Sequence, residues 1–426
     1  MELLIKGGRL VDPVGGIGGV MDVLIRDGRV VSIGNGLDAP QADQVIDATG
    51  LVVCAGLVDM HVHLRDPGFE YKEDIYTGTL AAARGGVTAV ACMPNTKPAT
   101  DSPEQIRYVQ EKAATACGVR VWPIGAVSVG QQGQQLTDVE ELKKAGAVAL
   151  SDDGFPVDSA NLMRDALIRA KRYDMTVLTH CEYGDMVKNF AVNEGRVSRQ
   201  LWLEGRPAIA EELMVMRDAM LAEETGAHVH IQHVSTGKSV DIIRKMKQKG
   251  VPITCETCPQ YFTLTEDEVL TQGTMARINP PLRTRRDVEE IIRGLQDGTI
   301  DAIATDHAPH SKEEKGRPLE KAPSGMVGLE TSLAVTLTAL YHTGKMDLSA
   351  ILRCMTVNPA AILRVPGGRL AIGAEADVTI FDPDEAWVVD PDLFASKGRN
   401  TPFAGHEVKG RVKYTIVGGK IVYQEG

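Results

Sequence analysis

The feature that most constrains the fold is a regular alternation of two kinds of segment between residues 53 and 365. Eight short runs are rich in apolar and β-branched residues, at 58–64, 87–92, 119–127, 148–153, 176–180, 229–234, 252–258 and 302–306. Segments with helical periodicity separate many of them, at 103–116, 139–145, 161–173, 211–225, 239–249 and 286–295. Such alternation is typical of right-handed βαβ units around a parallel sheet. Eight units predict an α/β fold with a closed (β/α)8 TIM barrel.

The two ends of the chain have a different pattern. They hold strand-like runs without intervening helices, at 3–10, 23–26, 29–33, 376–381, 412–417 and 420–423. Glycine turns such as Asp27-Gly28 and Gly418-Gly419 join neighbouring runs. A barrel needs only about 250 of the 426 residues. We therefore predict a barrel from residues 53–365 and a small β-sandwich domain formed by residues 1–52 together with 366–426.

The composition of the chain limits the classes of molecule that it can bind. The net charge of −11 argues against nucleic acid and against an anionic membrane surface, so local cations must meet any anionic ligand. We see no signal-peptide pattern and no run long enough to span a bilayer, and we expect a cytoplasmic protein. Seven scattered cysteines do not resemble a disulfide framework, and we expect Cys255 and Cys258 to be buried core thiols.

Metal-binding side chains recur at the ends of the predicted strands. His61 and His63 are two residues apart on one strand, so both imidazoles point to the same side. Such a pair alone could also be a surface pair or hydrogen-bonded core residues. The other strand ends repeat the chemistry, with Asp153, His180, His233 and Asp306.

The carboxyl ends of barrel strands converge on one face, so these six side chains should form a ring. Four histidines and two carboxylates can hold two divalent metal ions with a bridging carboxylate and a bridging water. Zinc lowers the pKa of such a water to about 7 and makes hydroxide available. The sequence therefore predicts a hydrolytic metal centre.

Seven motifs together carry a resemblance to a known family. They are DMHVHLRDPG (59–68), MPNT (93–96), SDDG (151–154), HVST (233–236), NPPLR (279–283), ATDHAPH (304–310) and GLET (328–331). The set resembles the amidohydrolase superfamily and, within it, the bacterial-type dihydroorotases. The resemblance covers nearly the whole chain.

The resemblance implies a zinc centre with one or two ions, two being preferred. One ion would be bound by His61, His63 and Asp306, and the other by His180 and His233. Asp153 would bridge them. Many relatives use a carboxylated lysine as the bridge, but residues 147–154 contain no lysine, so a carboxylate must bridge unaided.

The resemblance also implies the catalytic and substrate-binding residues. Asp306 would be the catalytic base that moves a proton. The implied substrate contacts are His63, Arg65, Asn95, Asn279, His310, Ser324 and Gly325. Taken singly and without the resemblance, Arg65, Asn95 and His310 are more often ordinary loop and turn residues than substrate contacts, and the alternative for Asn279 is a turn residue before two prolines. Relatives often have an aromatic residue where this chain has Ser324, so a ring-stacking contact is missing here or comes from elsewhere.

The implied activity is reversible cyclisation of N-carbamoyl-L-aspartate to L-dihydroorotate in pyrimidine synthesis. We expect a small-molecule substrate, a homo-oligomer and, as a candidate partner, aspartate transcarbamoylase. Two alternatives stay open: a hydantoinase or allantoinase, and a non-catalytic scaffold for aspartate transcarbamoylase. Arg65 and Asn95 favour an acidic substrate, and the filled ligand positions disfavour a scaffold.

Several other residues are given no role at the site. Strand alternation places His228 and His230 on the face opposite His233, and Asp152 opposite Asp153. His307 has no carboxylate or histidine partner at strand spacing. The charged segment 311–324 is either a mobile lid or an ordinary solvated loop.

Overall fold

The computed structural model describes residues 1–187 and 190–426. The chain begins with five strands, namely β1 (Glu2–Asp12), β2 (Ile17–Arg26), β3 (Arg29–Gly34), β4 (Gln44–Asp47) and β5 (Val52–Ala55). β1 is the centre of this sheet, antiparallel to β2 and parallel to β4 and β5. The three N-terminal runs predicted from the sequence therefore form strands, each longer than predicted.

Among the described residues, the middle of the chain contributes ten strands, eight in the barrel and two, β11 and β12, paired in a long connection. They are β6 (Leu57–Val62), β7 (Val87–Cys92), β8 (Arg120–Pro123), β9 (Ala149–Ser151), β10 (Thr176–Thr179), β11 (Val192–Asn193), β12 (Gly205–Arg206), β13 (Val229–Ile231), β14 (Ile253–Thr257) and β15 (Ala302–Ile303). The barrel strands lie in two parallel groups, β6-β7-β8 and β9-β10-β13-β14-β15. Parallel bridges between Val62 and His307 and between Gly125 and Leu150 join the groups and close the barrel.

Helices lie between the barrel strands and after the last of them. They are α1 (Ile75–Arg84), α2 (Pro103–Ala114), α3 (Val139–Ala145), α4 (Ala160–Arg172), α5 (Gly184–Val187), α6 (Arg196–Gln200), α7 (Ile209–Thr225), α8 (Gly237–Gln248), α9 (Pro259–Thr263), α10 (Glu268–Gln272), α11 (Arg285–Gln296), α12 (Lys312–Lys315), α13 (Ser332–Thr336), α14 (Leu348–Met355) and α15 (Val357–Leu363). Side chains cap the first turns of several helices, as Asp74, Ser102 and Thr236 do by accepting from backbone N–H groups. Short 3₁₀ helices cover Val129–Gln131, Gly273–Ala276 and Pro391–Leu393, and a π-helical turn covers Leu337–Tyr341.

The chain then returns to the N-terminal sheet with β16 (Val378–Val388), β17 (Glu407–Val417) and β18 (Lys420–Gln424). β16 is antiparallel to β5, so strands from both ends form one continuous hydrogen-bonded sheet. Its own apolar core includes Leu3, Ile25 and Ile380. The predicted fold, a TIM barrel with a small β-sandwich domain formed by both termini, is confirmed. The boundaries at residues 52 and 366 stay a prediction, and β5 begins at the first of them.

The barrel strands end earlier than the sequence predicts. β13 ends at Ile231 and β15 at Ile303, so His233 and Asp306 lie just beyond the ladder. Both have left-handed backbone conformations, with φ of 34° and 49°. Such conformations are costly for these residue types and cluster at functional sites. Because both residues lie beyond the strand ends, their side-chain directions are set by these backbone conformations and not by strand alternation.

Two further observations concern the sequence predictions. In the part of the chain that the structure describes, each helix is too short or too polar to cross a bilayer. Cys255 and Cys258 are buried and free, as predicted.

Candidate active site

The first group of predicted ligands lies at the carboxyl ends of β6 and β15. His63 Nε2 is 2.9 Å from Asp306 Oδ1, and His61 Nε2 is 3.5 Å from the same oxygen. One ligand atom from each of the three residues lies within 4.8 Å of the others. All three side chains are buried. The structure thus brings together the residues predicted for one metal ion.

The second group lies beside it, at the ends of β10 and β13. His180 Nδ1 is 2.8 Å from His233 Nε2, and each of these atoms is 3.4 Å from Asp153 Oδ1. Asp153 also approaches the first group, with Oδ1 3.5 Å from His61 Nε2 and Oδ2 3.4 Å from His63 Nε2. Asp153 therefore lies between the two groups, the position that a bridging ligand requires.

The chemistry of these residues fits a metal ion. Two buried atoms that face each other, His61 Nε2 and Asp153 Oδ1, have no hydrogen-bond partner among the described residues. Burial alone would lower the pKa of His61, but the carboxylates of Asp153, Glu256 and Asp306 raise it well above its ordinary value. The surroundings of His61 thus favour a cation. Imidazole nitrogen and carboxylate oxygen are the ligands that zinc takes.

In three of these histidines, the ring nitrogen that faces away from the other predicted ligands contacts a polar side chain. His61 Nδ1 is 2.6 Å from Glu256 Oε1, and His63 Nδ1 is 2.8 Å from Asn95 Oδ1. His180 Nε2 is 3.3 Å from Asn279 Nδ2. The Glu256 and Asn95 oxygens can accept from the Nδ1–H groups of His61 and His63, which leaves Nε2 of these two rings to face a metal and raises its basicity. Glu256 was not predicted from the sequence.

A cavity of about 170 Å³ opens above the ligands. All seven predicted substrate-binding residues line it, together with most of the predicted ligands: His63, Arg65, Asn95, Asp153, Gly154, His180, His233, Asn279, Asp306, Ala308, His310, Ser324 and Gly325. His61, fully buried, lies beside these ligands. Residues that lie up to 262 positions apart in the sequence therefore share one chamber.

One side of the chamber is cationic. Arg65 Nε donates to Pro309 O at 3.2 Å, and Arg65 Nη2 lies 3.4 Å from His310 Nε2. His310 Nε2 donates to Ser324 O at 2.8 Å. Burial and the nearby Arg65 charge hold the pKa of His310 far below its ordinary value, so His310 is neutral. A guanidinium beside a neutral imidazole and the Asn95 amide suits a carboxylate ligand.

Arg206 is a further polar residue beside the site that the sequence did not reveal. From β12, its Nη1 donates to Glu182 Oε2 and to Asn279 Oδ1, each at 2.5 Å. Because Arg206 takes the amide oxygen, the Asn279 Nδ2 group is turned towards His180. Nothing in the local pattern of the 183–210 connection distinguishes Arg206 from a surface arginine.

The expectation about His230 was wrong, and His307 has a partner that strand spacing does not reveal. His230 lies inside the barrel, with Nε2 3.2 Å from Glu256 Oε2, because His233 follows the end of β13 and its direction is not set by strand alternation. His307 Nε2 lies 3.3 Å from Glu73 Oε2, a partner from a loop before α1. Asp152 does turn away from the site, and accepts from the Val127 and Ser128 N–H groups.

The segment 311–324 includes α12, and its last residue, Ser324, lines the chamber. Lys315, only 2% exposed, anchors the segment. Its Nζ donates to the carbonyls of Thr274, Arg277 and Pro323 at 2.9, 3.1 and 3.0 Å. Movement of this segment as a lid stays a prediction.

Comparisons with known proteins agree with this geometry. A family model described as dihydro-orotase-like matches residues 50–239, and one described as amidohydrolase family matches residues 325–423. The dihydroorotase of Geobacter sp. (strain M21) is 51% identical over 426 residues, covering 100% of both chains. The dihydroorotase of Pelotomaculum thermopropionicum is 52% identical over 430 residues, covering 100% of this chain and 99% of its own.

Solved structures with the same fold include two cyclic amide hydrolases. The L-hydantoinase (dihydropyrimidinase) from Arthrobacter aurescens superposes with a TM-score of 0.89 at 26% identity, covering 100% of this chain and 96% of its own. The dihydropyrimidinase from Brevibacillus agri NCHU1002 gives 0.86 at 26% identity, covering 100% and 95%. Identity to the dihydroorotases is about twice as high and extends over the full length. The chain therefore belongs to the dihydroorotase family of the amidohydrolase superfamily.

Proposed function

We propose that this cyclic amide hydrolase is a zinc-dependent dihydroorotase that interconverts N-carbamoyl-L-aspartate and L-dihydroorotate. The observation that carries the proposal is the single chamber in which Arg65 and Asn95 lie beside the two groups of metal-binding side chains. Arg65 and Asn95 suit the substrate carboxylate, and the metal-binding side chains suit hydrolysis of a ring amide. Two ions, bridged by Asp153, match the two groups of ligands.

Zinc, when bound, would polarise the scissile carbonyl and lower the pKa of the attacking water. Asp306 would accept the proton that this water loses and pass it to the leaving ring nitrogen. Its carboxylate lines the chamber, and His63 Nε2 holds Oδ1 at 2.9 Å. Ring opening and ring closure use the same groups in reverse order.

The remaining chamber residues would orient the substrate. Arg65, Asn95 and His310 would bind the α-carboxylate, and the Asn279 amide would donate to a ring carbonyl. Ser324 Oγ already accepts from Arg277 Nε at 3.3 Å, so we propose that the Ser324-Gly325 backbone, rather than the serine hydroxyl, contacts the substrate. No ring-stacking contact is then required at this position.

Hydantoinase activity is the nearest alternative, since the solved structures with this fold include hydantoinases. A hydantoin has no carboxylate for Arg65, whereas dihydroorotate does. A non-catalytic scaffold is disfavoured because all six ligand positions are occupied by metal-binding side chains.

A substrate comparison tests the proposed function. Initial rates of the zinc-loaded enzyme should be measured with dihydroorotate, hydantoin and allantoin at equal concentrations. We expect dihydroorotate to be preferred by on the order of a hundredfold or more, since a site built for a charged group rejects analogues that lack it. Equal or faster turnover of hydantoin would contradict the proposal.

We also propose a role in pyrimidine synthesis in the cytoplasm and a homo-oligomeric state. Four exposed apolar side chains recur at helical spacing on α7 and support self-association, namely Ile209, Leu213, Met216 and Met220. Association with aspartate transcarbamoylase stays a prediction. Light scattering of the protein alone and mixed with the transcarbamoylase would test both assemblies.

A further inference from the structure

The long connection after β10 reaches the chamber through one arginine. Its two short strands, β11 and β12, pair in parallel, with Asn193 beside Arg206. Arg206 is buried and is not among the described residues that line the chamber. Asn279, which the Arg206 side chain contacts, is half-buried and does line the chamber. Arg206 therefore acts on a bound molecule through Asn279.

Four contacts hold Arg206 in place. Its carbonyl oxygen accepts from Arg283 Nη1 at 3.1 Å, and its Nε donates to Phe190 O at 2.7 Å. Its Nη1 carries two hydrogens and donates to Glu182 Oε2 and to Asn279 Oδ1, each at 2.5 Å. Both the backbone and the guanidinium are thus fixed before a ligand binds.

The chemistry of Arg206 decides which way the Asn279 amide faces. A guanidinium donates hydrogen bonds and accepts none, so it must meet the amide oxygen and not the amide NH₂ group. This contact is charge-assisted and 2.5 Å long, whereas Asn279 Nδ2 lies 3.3 Å from His180 Nε2 on the other side. Turning the amide over would place two donor groups against each other. Asn279 therefore keeps its NH₂ group for a ligand.

Glu182 balances the charge of Arg206. This carboxylate is buried, and its Oε2 forms an ion pair with Arg206 Nη1 at 2.5 Å. The pair is neutral overall, so Arg206 supplies a donor beside the chamber without adding a free cation. Arg65 differs, because its Nε donates to the uncharged Pro309 carbonyl and it has no ion-pair partner among the described residues. The substrate carboxylate is therefore expected at Arg65, and an uncharged acceptor at Asn279.

We propose that Arg206 is a positioning residue that makes Asn279 a fixed hydrogen-bond donor, and that the site thereby selects substrates with a carbonyl oxygen at this side of the chamber. The inference rests on the proposed function and deepens it. A ring carbonyl of dihydroorotate can accept from Asn279 Nδ2–H. A ring N–H at the same place would meet another donor, and both groups would lose their hydrogen bonds. Arg206 therefore sets the polarity that a substrate must have.

The first test replaces the donor and keeps the shape. In Asn279→Asp one carboxylate oxygen still pairs with Arg206, but the chamber side loses both N–H groups. We expect KM for dihydroorotate to rise by about 5- to 30-fold, at least as much as in Asn279→Ala, because the lost contact binds the substrate. Steady-state kinetics at matched zinc content would measure both variants. A wild-type KM in Asn279→Asp would mean that Asn279 binds through its oxygen, and would overturn the inference.

The second test is a double-mutant cycle between Arg206 and Asn279. Arg206→Met should raise KM by about 5- to 30-fold and change kcat by less than about three-fold. In the Asn279→Ala background, Arg206→Met should raise KM by less than about two-fold, because the residue through which Arg206 acts is already truncated. Losses that multiply in the double variant would show a separate structural role for Arg206 and would overturn the inference.

Arg120→Met is the matched control for Arg206→Met. Arg120 binds the Asp377 carboxylate through Nε and Nη2, at 2.9 and 3.1 Å. It begins β8, so it lies at the barrel end opposite to the chamber. KM in Arg120→Met should stay within about two-fold of the wild-type value. A rise equal to that in Arg206→Met would show that loss of any such arginine pair has this effect, and would overturn the inference.

The wild-type protein separates this inference from the proposed function. A zinc-loaded wild-type protein that does not turn over dihydroorotate would contradict the proposed function, and the inference with it. An active wild-type protein whose variants lose affinity independently would contradict only the inference. If Arg206→Met does not fold, Asn279→Asp decides, because that variant keeps the arginine and its ion pair with Glu182.

Discussion

Asp153 holds the central position at the scale of single residues. Burial would raise its pKa, but His61, His180 and His233 lower it well below its ordinary value. The carboxylate is therefore ionised, and its two oxygens face different histidines. A shared anion between two sets of imidazoles is what two cations require. The absence of lysine from residues 147–154 is thus compatible with a two-ion centre.

Arg65 is the residue on which substrate choice depends. Arg65→Met should lower kcat/KM for dihydroorotate on the order of a hundredfold, because losing one partner of a buried charge pair costs about 2 to 5 kcal/mol. Arg65→Lys should also be impaired, since an ammonium lacks the planar pair of donors. Steady-state kinetics on dihydroorotate and on uncharged dihydrouracil would measure both effects.

The uncharged substrate is the control for Arg65. Dihydrouracil has nothing for the guanidinium to bind, so its turnover should not change in either variant. An equal loss on both substrates would mean that Arg65 supports the loop or the metal centre instead.

Asp306 is the residue proposed to move the proton. Asp306→Asn should lower kcat by about 10²- to 10⁴-fold with a smaller change in KM, because the lost group acts in the transition state. The zinc content of the variant must be measured alongside, since Asp306 is also a proposed ligand. An unchanged kcat in a zinc-loaded variant would place the base elsewhere.

The sequence was informative about residues that follow strand ends. Asp153, His180 and Asp306 could be predicted to meet because the carboxyl ends of parallel strands converge. Glu256 and His230 could not, because their contact depends on how β13 and β14 are staggered inside the barrel. Arg206 could not be predicted either. A long connection brings it to the site, and neither helical nor strand periodicity predicts where a side chain in such a connection lies.

At the scale of elements, loops between strands and helices build the chamber. The eight barrel strands could be predicted from apolar runs, although their ends could not be placed to the residue. The segment 311–324 shows the difference: its charges suggested either a mobile lid or a solvated loop, but Lys315 is buried against three carbonyls. The lysine is buried because carbonyl groups from other parts of the folded chain accept hydrogen bonds from it, and the local sequence does not reveal these carbonyls.

Lys315 should therefore stabilise the segment 311–324, whose last residue lines the chamber. Lys315→Met leaves buried carbonyls without a donor, and we expect the free energy of unfolding to fall by about 1 to 3 kcal/mol. Urea denaturation would measure the change, and proteolysis within 311–324 should become faster. Lys312→Met on the exposed side of α12 is the control and should change stability by less than about 0.5 kcal/mol. Equal stability of the two variants would show that the anchor contributes nothing.

At the scale of the whole molecule, a buried carboxylate links the barrel to the C-terminal part of the chain. Glu330 accepts from the N–H groups of Ala395 and Ser396 at 3.0 and 3.1 Å. Burial raises its pKa from 4.5 to about 7. The folded protein therefore binds a proton at Glu330 that the unfolded chain releases above pH 4.5.

Proton binding at Glu330 should make the free energy of unfolding fall as the pH rises. The contribution of Glu330 to stability is complete below pH 4.5 and is lost as the pH rises through about 7. Relative to Glu330→Gln, which cannot ionise, the wild-type protein should lose stability between those values. Urea midpoints of both proteins across this range test the claim, and a wild-type midpoint that rises relative to the variant would contradict it.

The central claim is that zinc held in this chamber makes the chain a dihydroorotase. The most direct measurement is turnover of N-carbamoyl-L-aspartate to dihydroorotate by the purified protein, before chelation, after chelation and after zinc is restored. We expect activity at first, its loss with the chelator, and its recovery with zinc up to two ions per chain. Full turnover by protein shown to contain no metal would contradict the account.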